Sequence, residues 1–176
     1  MTNLVISSSL NPKSRSRLLA LIAFKILKDI NEPADWLDLA DYSIPFCDGD
    51  SSHKNPEVKK IREKIKKSKA IIFAVPIYNY DVNSAAKNLI ELTGDAWTNK
   101  IIGFLCAAGG RGSYMSVMSL ANSLMLDFRC IIIPRFVYST GEAFDGEQVV
   151  DSDLEERIND LVRELNRICL ALNKYN

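Results

Sequence analysis

Leu4-Val5-Ile6-Ser7-Ser8-Ser9-Leu10-Asn11-Pro12-Lys13-Ser14-Arg15-Ser16-Arg17-Leu18-Leu19-Ala20 is an apolar run that ends in a hydroxyl-rich loop and passes straight into an apolar-periodic helix. Strand, polar loop and helix N-terminus in that order build an anion site. The first helical turn leaves backbone N–H groups unpaired, and the helix dipole makes that end electropositive. Ser7, Ser8, Ser9, Ser14 and Ser16 offer hydroxyl donors, and Lys13, Arg15 and Arg17 add positive charge. Ser and Asn are equally ordinary turn and cap residues, so an unliganded loop is the competing reading. The stretch has no Gly, which removes both the phosphate-loop and the dinucleotide fingerprints.

Working outward, the first strand is expected at about 3–7 and the first helix at about 14–28, with Leu18, Leu19, Ile22, Ile26 and Leu27 on one face. Asn31-Glu32-Pro33 ends that helix. A short strand follows at 34–39, then a loop with Pro45 and Gly49 as breakers. Asn55-Pro56 opens a second helix that buries Val58, Ile61 and Ile65; its lysines read as a solvated face. Ala70–Val75 and Ile101–Ala107 are apolar without alternation, the mark of strands covered on both faces in a parallel sheet. Helices are expected near 83–92, 114–128 and 153–172, a fifth strand over 130–134, extending to 136–138, and an acidic loop over 141–150. Strands and helices alternate throughout. Right-handed crossovers then give a three-layer α/β/α sandwich, one domain over 1–176, with a five-stranded parallel sheet in the order 2-1-3-4-5. In that order a ligand lies beyond the carboxyl ends of strands one, three and four.

Those three ends carry the unusual loops. The third is Pro76-Ile77-Tyr78-Asn79-Tyr80, two aromatics beside amide chemistry. The fourth is Ala108-Gly109-Gly110-Arg111-Gly112, whose backbone a ligand can approach without a Cβ in the way. A phosphate end, an aromatic wall and a backbone-lined slot suit a flat heterocycle on a phosphorylated chain, and FMN has that shape. Tyr78 and Tyr80 covering the sheet edge, and the glycines forming only a flexible turn, are the plainer alternatives.

Composition narrows the classes. Lys+Arg and Asp+Glu are both 22, so no basic excess supports a nucleic-acid or membrane role. Met1-Thr2-Asn3 leads directly into the first strand with no leader pattern, and no apolar run approaches a membrane span. Cys47, Cys106, Cys130 and Cys169 are far apart, and the single histidine, His53, falls in a polar loop, so no zinc site of ordinary spacing can be drawn. A reducing, cytoplasmic setting fits best.

On these motifs the chain resembles the NADPH-dependent FMN reductase family, flavodoxin-like reductases that include quinone, azo-dye and chromate reductases. The family's first loop, roughly Gly-Ser-x-Arg-x-x-Ser-x-Asn, is matched by Ser8-Ser9-Leu10-Asn11-Pro12-Lys13-Ser14-Arg15-Ser16. Its second motif, roughly Pro-x-Tyr-Asn-Tyr and then Leu-Lys-Asn-x-Ile-Asp, is matched by Pro76–Tyr80 and by Ala86-Lys87-Asn88-Leu89-Ile90-Glu91. Its Gly-rich third loop is matched by Gly109-Gly110-Arg111-Gly112. Ser8 replaces the family's Gly, Asn11 its Arg and Ser16 its Asn; the lost Arg removes a charge-assisted phosphate bond, for which Lys13 and Arg15 are the nearby substitutes.

The resemblance implies FMN as cofactor and NADPH or NADH as donor. A quinone, free flavin or similar small-molecule acceptor follows in a ping-pong cycle. Ser9, Asn11, Ser14 and Ser16 would hold the phosphate. Pro76, Ile77, Tyr78 and Asn79 would line the isoalloxazine, and Gly109, Gly110 and Arg111 would close its pyrimidine end. No protein side chain is expected to be catalytic, since the flavin carries the chemistry. A homodimer or homotetramer is implied, and the apolar breadth of 114–126 suits either a partner surface or the core. A flavodoxin-type electron carrier and a degenerate member without flavin are the alternative functions. A receiver domain lacks its acidic cluster, because strand one ends in Ser7-Ser8-Ser9 and strand three in Val75-Pro76.

Overall fold

The computed structural model describes residues 2–173. Strand β1 (Thr2–Ser7) leads into helix α1 (Arg15–Asp29), then β2 (Ala34–Asp38), α2 (Pro56–Lys67), β3 (Ser68–Tyr78), β4 (Asp81–Val82), α3 (Ser84–Thr93), β5 (Ile101–Ala107), α4 (Met118–Phe128), β6 (Ile131–Ile132), β7 (Val137–Ser139), the hairpin β8 (Phe144–Asp145) and β9 (Gln148–Val149), and α5 (Leu154–Asn173). The central sheet runs β2-β1-β3-β5-β6, with β7 continuing the outer position beside β5. All of these neighbours pair in parallel. Taking β6 and β7 as one interrupted fifth strand, the expected order 2-1-3-4-5 holds, and the loops after β1, β3 and β5 leave from one edge.

Alternation along buried strands fixes which helices cover which face. Leu4, Ile6, Ile71, Phe73, Val75, Ile102 and Phe104 point to the face covered by α2, α3 and α4. Val5, Ile72, Ala74, Ile101 and Leu105 point to the face covered by α1 and α5. Phe73 stacks between Trp97 and Phe104 at 5.4 and 6.1 Å. Each such side chain contributes about 1.5–3 kcal/mol by leaving water. At Gly103 a Cβ would lie 3.2 Å from the Leu161 side chain, so a larger residue would push α5 off the sheet.

The ends of α1 follow its sequence. Ser14 is extended at the N-cap and accepts from Arg17 N; Asn31, at φ 57°, takes the left-handed step after the last turn. Four local expectations are corrected. The segment read as the third loop is largely strand: β3 continues through Pro76 and Ile77 to Tyr78 and folds back onto β4. Residues 111–117 form 3₁₀ turns, and the α-helix begins only at Met118. The fifth strand is broken, because Pro134 has no N–H to give a ladder and Arg135 is left-handed at φ 61°. The acidic loop at 141–150 holds a 3₁₀ turn and the hairpin β8–β9.

Candidate functional site

The loop between β1 and α1 is built from its own polar groups. Ser14 Oγ accepts from Arg17 N and shares a 3.0 Å bond with Ser16 Oγ. Two hydroxyls carry two protons and that bond uses one, so one is left to donate outward. Ser9 Oγ accepts from Asn11 N, and Asn11 Oδ1 accepts from Lys13 N at 3.0 Å. Ser9, Ser14 and Ser16 are all buried, and α1 has no acidic residue in its first turn. Ser7 Oγ, at the base of this loop, is buried without a hydrogen-bond partner among the described residues. Buried polar atoms are normally satisfied, so an orphan here suits a ligand-facing site.

Arg17 lies behind this loop as a clamp. Its guanidinium pairs with Asp38 at the end of β2 through Nε and through a second bond to Oδ1 at 3.3 Å. It also donates to the carbonyls of Ser9 at 3.1 Å, Asn11 at 2.8 Å and Pro12 at 3.1 Å. The replaced Gly at Ser8 has an account too. Ser8 Oγ donates within a cluster of Ala74 O at 3.0 Å and Asn83 Oδ1 at 2.9 Å, and Asn83 Nδ2 returns a 2.8 Å bond to Ser8 O. Asn83 begins α3 without capping it, because its amide is spent on the first loop.

The second wall is a tight hairpin. Tyr78 pairs with Asp81, leaving Asn79 (φ 52°) and Tyr80 (φ 64°) as the two turn residues. Two-residue hairpins favour positive φ at both positions; Asn tolerates it, while for Tyr it is strained. Tyr80 is 74% exposed and Tyr78 52% exposed. The Tyr80 hydroxyl lies 3.3 Å from where a Cβ on Gly112 would stand, so this tip touches the Gly-rich loop. Ser119 on α4 donates to Asp81 at 2.7 Å and ties the hairpin down.

The Gly-rich loop is open. A Cβ on Gly109 or Gly110 would meet nothing within 4 Å. The loop is held from below: Tyr138 Oη donates to Gly110 O, Ser113 and Tyr138 share a 2.8 Å hydroxyl bond, and Tyr114 stacks on Phe136 at 4.8 Å. Arg111 is exposed and pairs with Glu142 at 3.0 Å.

Thus Ser9, Asn11, Ser14 and Ser16 lie on one loop, Pro76–Asn79 on a neighbouring strand and hairpin, and Gly109–Arg111 on the third loop, all at the carboxyl edge. Pro76 and Ile77 are buried in the strand. Arg15, named as a substitute for the lost arginine, instead lies over the Phe144 ring at 5.6 Å. The clamp Arg17–Asp38 and the tie Asn83 escaped the sequence reading. A basic residue three past the N-cap, with an acid closing the next parallel strand, was the available signal. Burial drives the Cys106 thiol far up and Cys130 up to about 11, so neither is a nucleophile at neutral pH. His53 is exposed.

A hydroxyl loop on a helix N-terminus, an aromatic hairpin and a glycine-rich loop thus share the carboxyl edge of a doubly wound parallel sheet. The model of the NADPH-dependent FMN reductase family matches residues 1–145, and the chain belongs to that family. Two relatives agree. An NAD(P)H-dependent FAD/FMN reductase of Geobacillus thermodenitrificans is 29% identical over 132 residues, 73% of this chain and 71% of that one. An NAD(P)H:quinone oxidoreductase of Solanum tuberosum is 27% identical over 177 residues, 93% of this chain and 90% of that one. Among solved structures, an NADH:FMN oxidoreductase in its apo form superposes with a TM-score of 0.77 at 16% identity, covering 94% of this chain and 88% of that one, which supports the fold. Membership makes the chain an oxidoreductase of the flavin class, with FMN as cofactor and NAD(P)H as donor. No helix of the described residues is long and apolar enough to cross a membrane.

Proposed function

We propose that this chain is an FMN-dependent NAD(P)H oxidoreductase that reduces a quinone, a free flavin or a similar small acceptor by a ping-pong cycle. The observation that carries the reading is the convergence of three loops, tied to one another by Asn83 on Ser8 and by Tyr80 against Gly112. FMN, when bound, supplies the hydride acceptor and donor. The chain's own residues do the rest. The first-turn N–H groups of α1, with the spare hydroxyl proton of the Ser14–Ser16 pair, face a phosphate; Ser9 and Asn11 shape that loop. Pro76, Ile77, Tyr78 and Asn79 line the ring system. Gly109 and Gly110 leave room for it, and Arg111 closes the far end. The exposed Tyr80 shields the slot from water. The nicotinamide leaves before the acceptor arrives, because one slot serves both.

One domain carries this activity, in a reducing cytoplasmic setting suited to four free thiols. A homodimer or homotetramer would cover Met115 and Leu126, which are 61% and 75% exposed. A second reading, a member with little affinity for flavin, draws on the hydroxyls that satisfy one another in the first loop. An absorbance spectrum of the purified chain, an FMN titration and an initial-rate study with NADPH test both. Flavin bands or micromolar binding, bleaching by NADPH and parallel double-reciprocal lines are expected. A colourless protein that FMN does not saturate overturns the reductase.

A further inference from the structure

We infer that Arg17 is a positioning residue for the phosphate: it never touches the ligand, but it sets the loop that does, and Asp38 sets Arg17. The inference rests on the FMN reading and goes beyond it. Three successive features carry it.

Three loop carbonyls, of Ser9, Asn11 and Pro12, converge on one guanidinium at 2.8–3.1 Å. In a trans peptide the carbonyl and the following N–H lie in one plane and point in opposite directions. With the Ser9 carbonyl turned toward Arg17, the Leu10 N–H is aimed to the other side, and the loop's negative ends are gathered away from an anion. The guanidinium is itself fixed. Its fork meets the buried Asp38 carboxylate at the end of β2, and its side chain is 17% exposed. Asp38 also accepts from Ala40 N at 3.1 Å, so the anchor is held by backbone as well. Finally, the sequence lacks the charged residue at position 11 that the family places in this loop, and Arg15 is drawn to Phe144. That leaves Lys13 to supply direct charge from this loop, and the arrangement of the backbone carries the rest of the anion binding.

Position and charge make opposite forecasts, which is what makes the idea testable. Removing Asp38 raises the local positive potential but frees the guanidinium. Replacing Arg17 by Lys keeps the charge but loses the planar fork that reaches three carbonyls and a carboxylate at once. The experiment measures dissociation constants of the full chain for FMN and for riboflavin, which lacks only the phosphate. The readout is their ratio in wild type, Arg17→Gln, Arg17→Lys and Asp38→Asn. Riboflavin affinity serves as the internal report of an intact ring slot. Wild type is expected to prefer FMN. Arg17→Gln should cut that preference about tenfold or more, as displaced binding groups commonly do, with riboflavin affinity kept. Arg17→Lys should resemble Gln, and Asp38→Asn should also lower the preference. An unchanged ratio in Arg17→Gln overturns the clamp, as does equal loss of both flavins. Full rescue by Lys, or a preference raised by Asp38→Asn, shows that charge acts instead of position and overturns it as well. A wild type that does not distinguish the two flavins overturns the phosphate reading, and the clamp with it.

Discussion

The loop after β1 and the loop after β5 face the same edge and are built in opposite ways. In the first, hydroxyls, amides and carbonyls are bonded to one another, to Arg17 and to Asn83, and the serines are buried. In the second, Gly109 and Gly110 are exposed and have free space where side chains would be. A tetrahedral anion has one shape and rewards donors fixed in advance. A ring that must admit a nicotinamide and then a different acceptor needs a margin that can yield. On the proposed function, rigidity at one end and room at the other would let a single site hold its cofactor through many turnovers while exchanging substrates.

The largest break in this contrast should come from Ser14→Asp. Asp is as good an N-cap as Ser, so the helix should survive. A carboxylate about 4 Å from a phosphate costs roughly 4 kcal/mol per unit charge near a surface. Flavin retention should vanish in a gel-filtered sample whose melting temperature is unchanged. Gly110→Ala probes the opposite loop. Its φ of −158° suits any residue and its Cβ meets no atom, so stability should stay within about 0.5 kcal/mol of wild type. FMN titration should nonetheless show severalfold weaker binding, since the methyl group fills ligand space.

Tyr80→Gly sharpens the comparison at the hairpin between them. It relieves a left-handed tyrosine and completes an Asn-Gly turn, so thermal unfolding should report about 1 kcal/mol more stability. The same variant should bind flavin less tightly, because the aromatic shield is gone. The smallest effect is set by pH. Burial raises the Cys130 thiol from 9.0 to about 11 in the folded chain. The unfolded chain gives up its proton first, so the folded state then holds more protons and stability falls as pH rises. Denaturant midpoints should be flat from neutral pH to about 9 and decline above it. Cys106 and Cys169, also raised by burial, share in the decline, so Cys130→Ala should lessen it between pH about 9 and about 11 without abolishing it.

Periodicity and burial made most of the fold legible. The unbroken runs Ala70–Val75 and Ile101–Ala107 marked doubly covered strands, and Ser14 ahead of Leu18-Leu19 marked a helix start. The hairpin at 77–82 was hidden because its turn is Asn-Tyr, without the glycine that usually signals positive φ. The clamp was hidden for another reason. Arg17 and Asp38 are 21 residues apart, and only the side-by-side pairing of β1 with β2 brings them together. Local pattern reveals what a segment does for itself, and loop geometry here is decided by a neighbour.

The interrupted fifth strand has a consequence for life at high concentration. It lies on the outside of the sheet, where a long flat strand would offer a row of free donors and acceptors to any passing chain. Instead two residues of β6 and three of β7 flank Pro134 and the left-handed Arg135. Such a border gives no continuous template for edge-to-edge growth. The break denies fibrous aggregation a foothold on that side of the sheet, and leaves β2 as the opposite border.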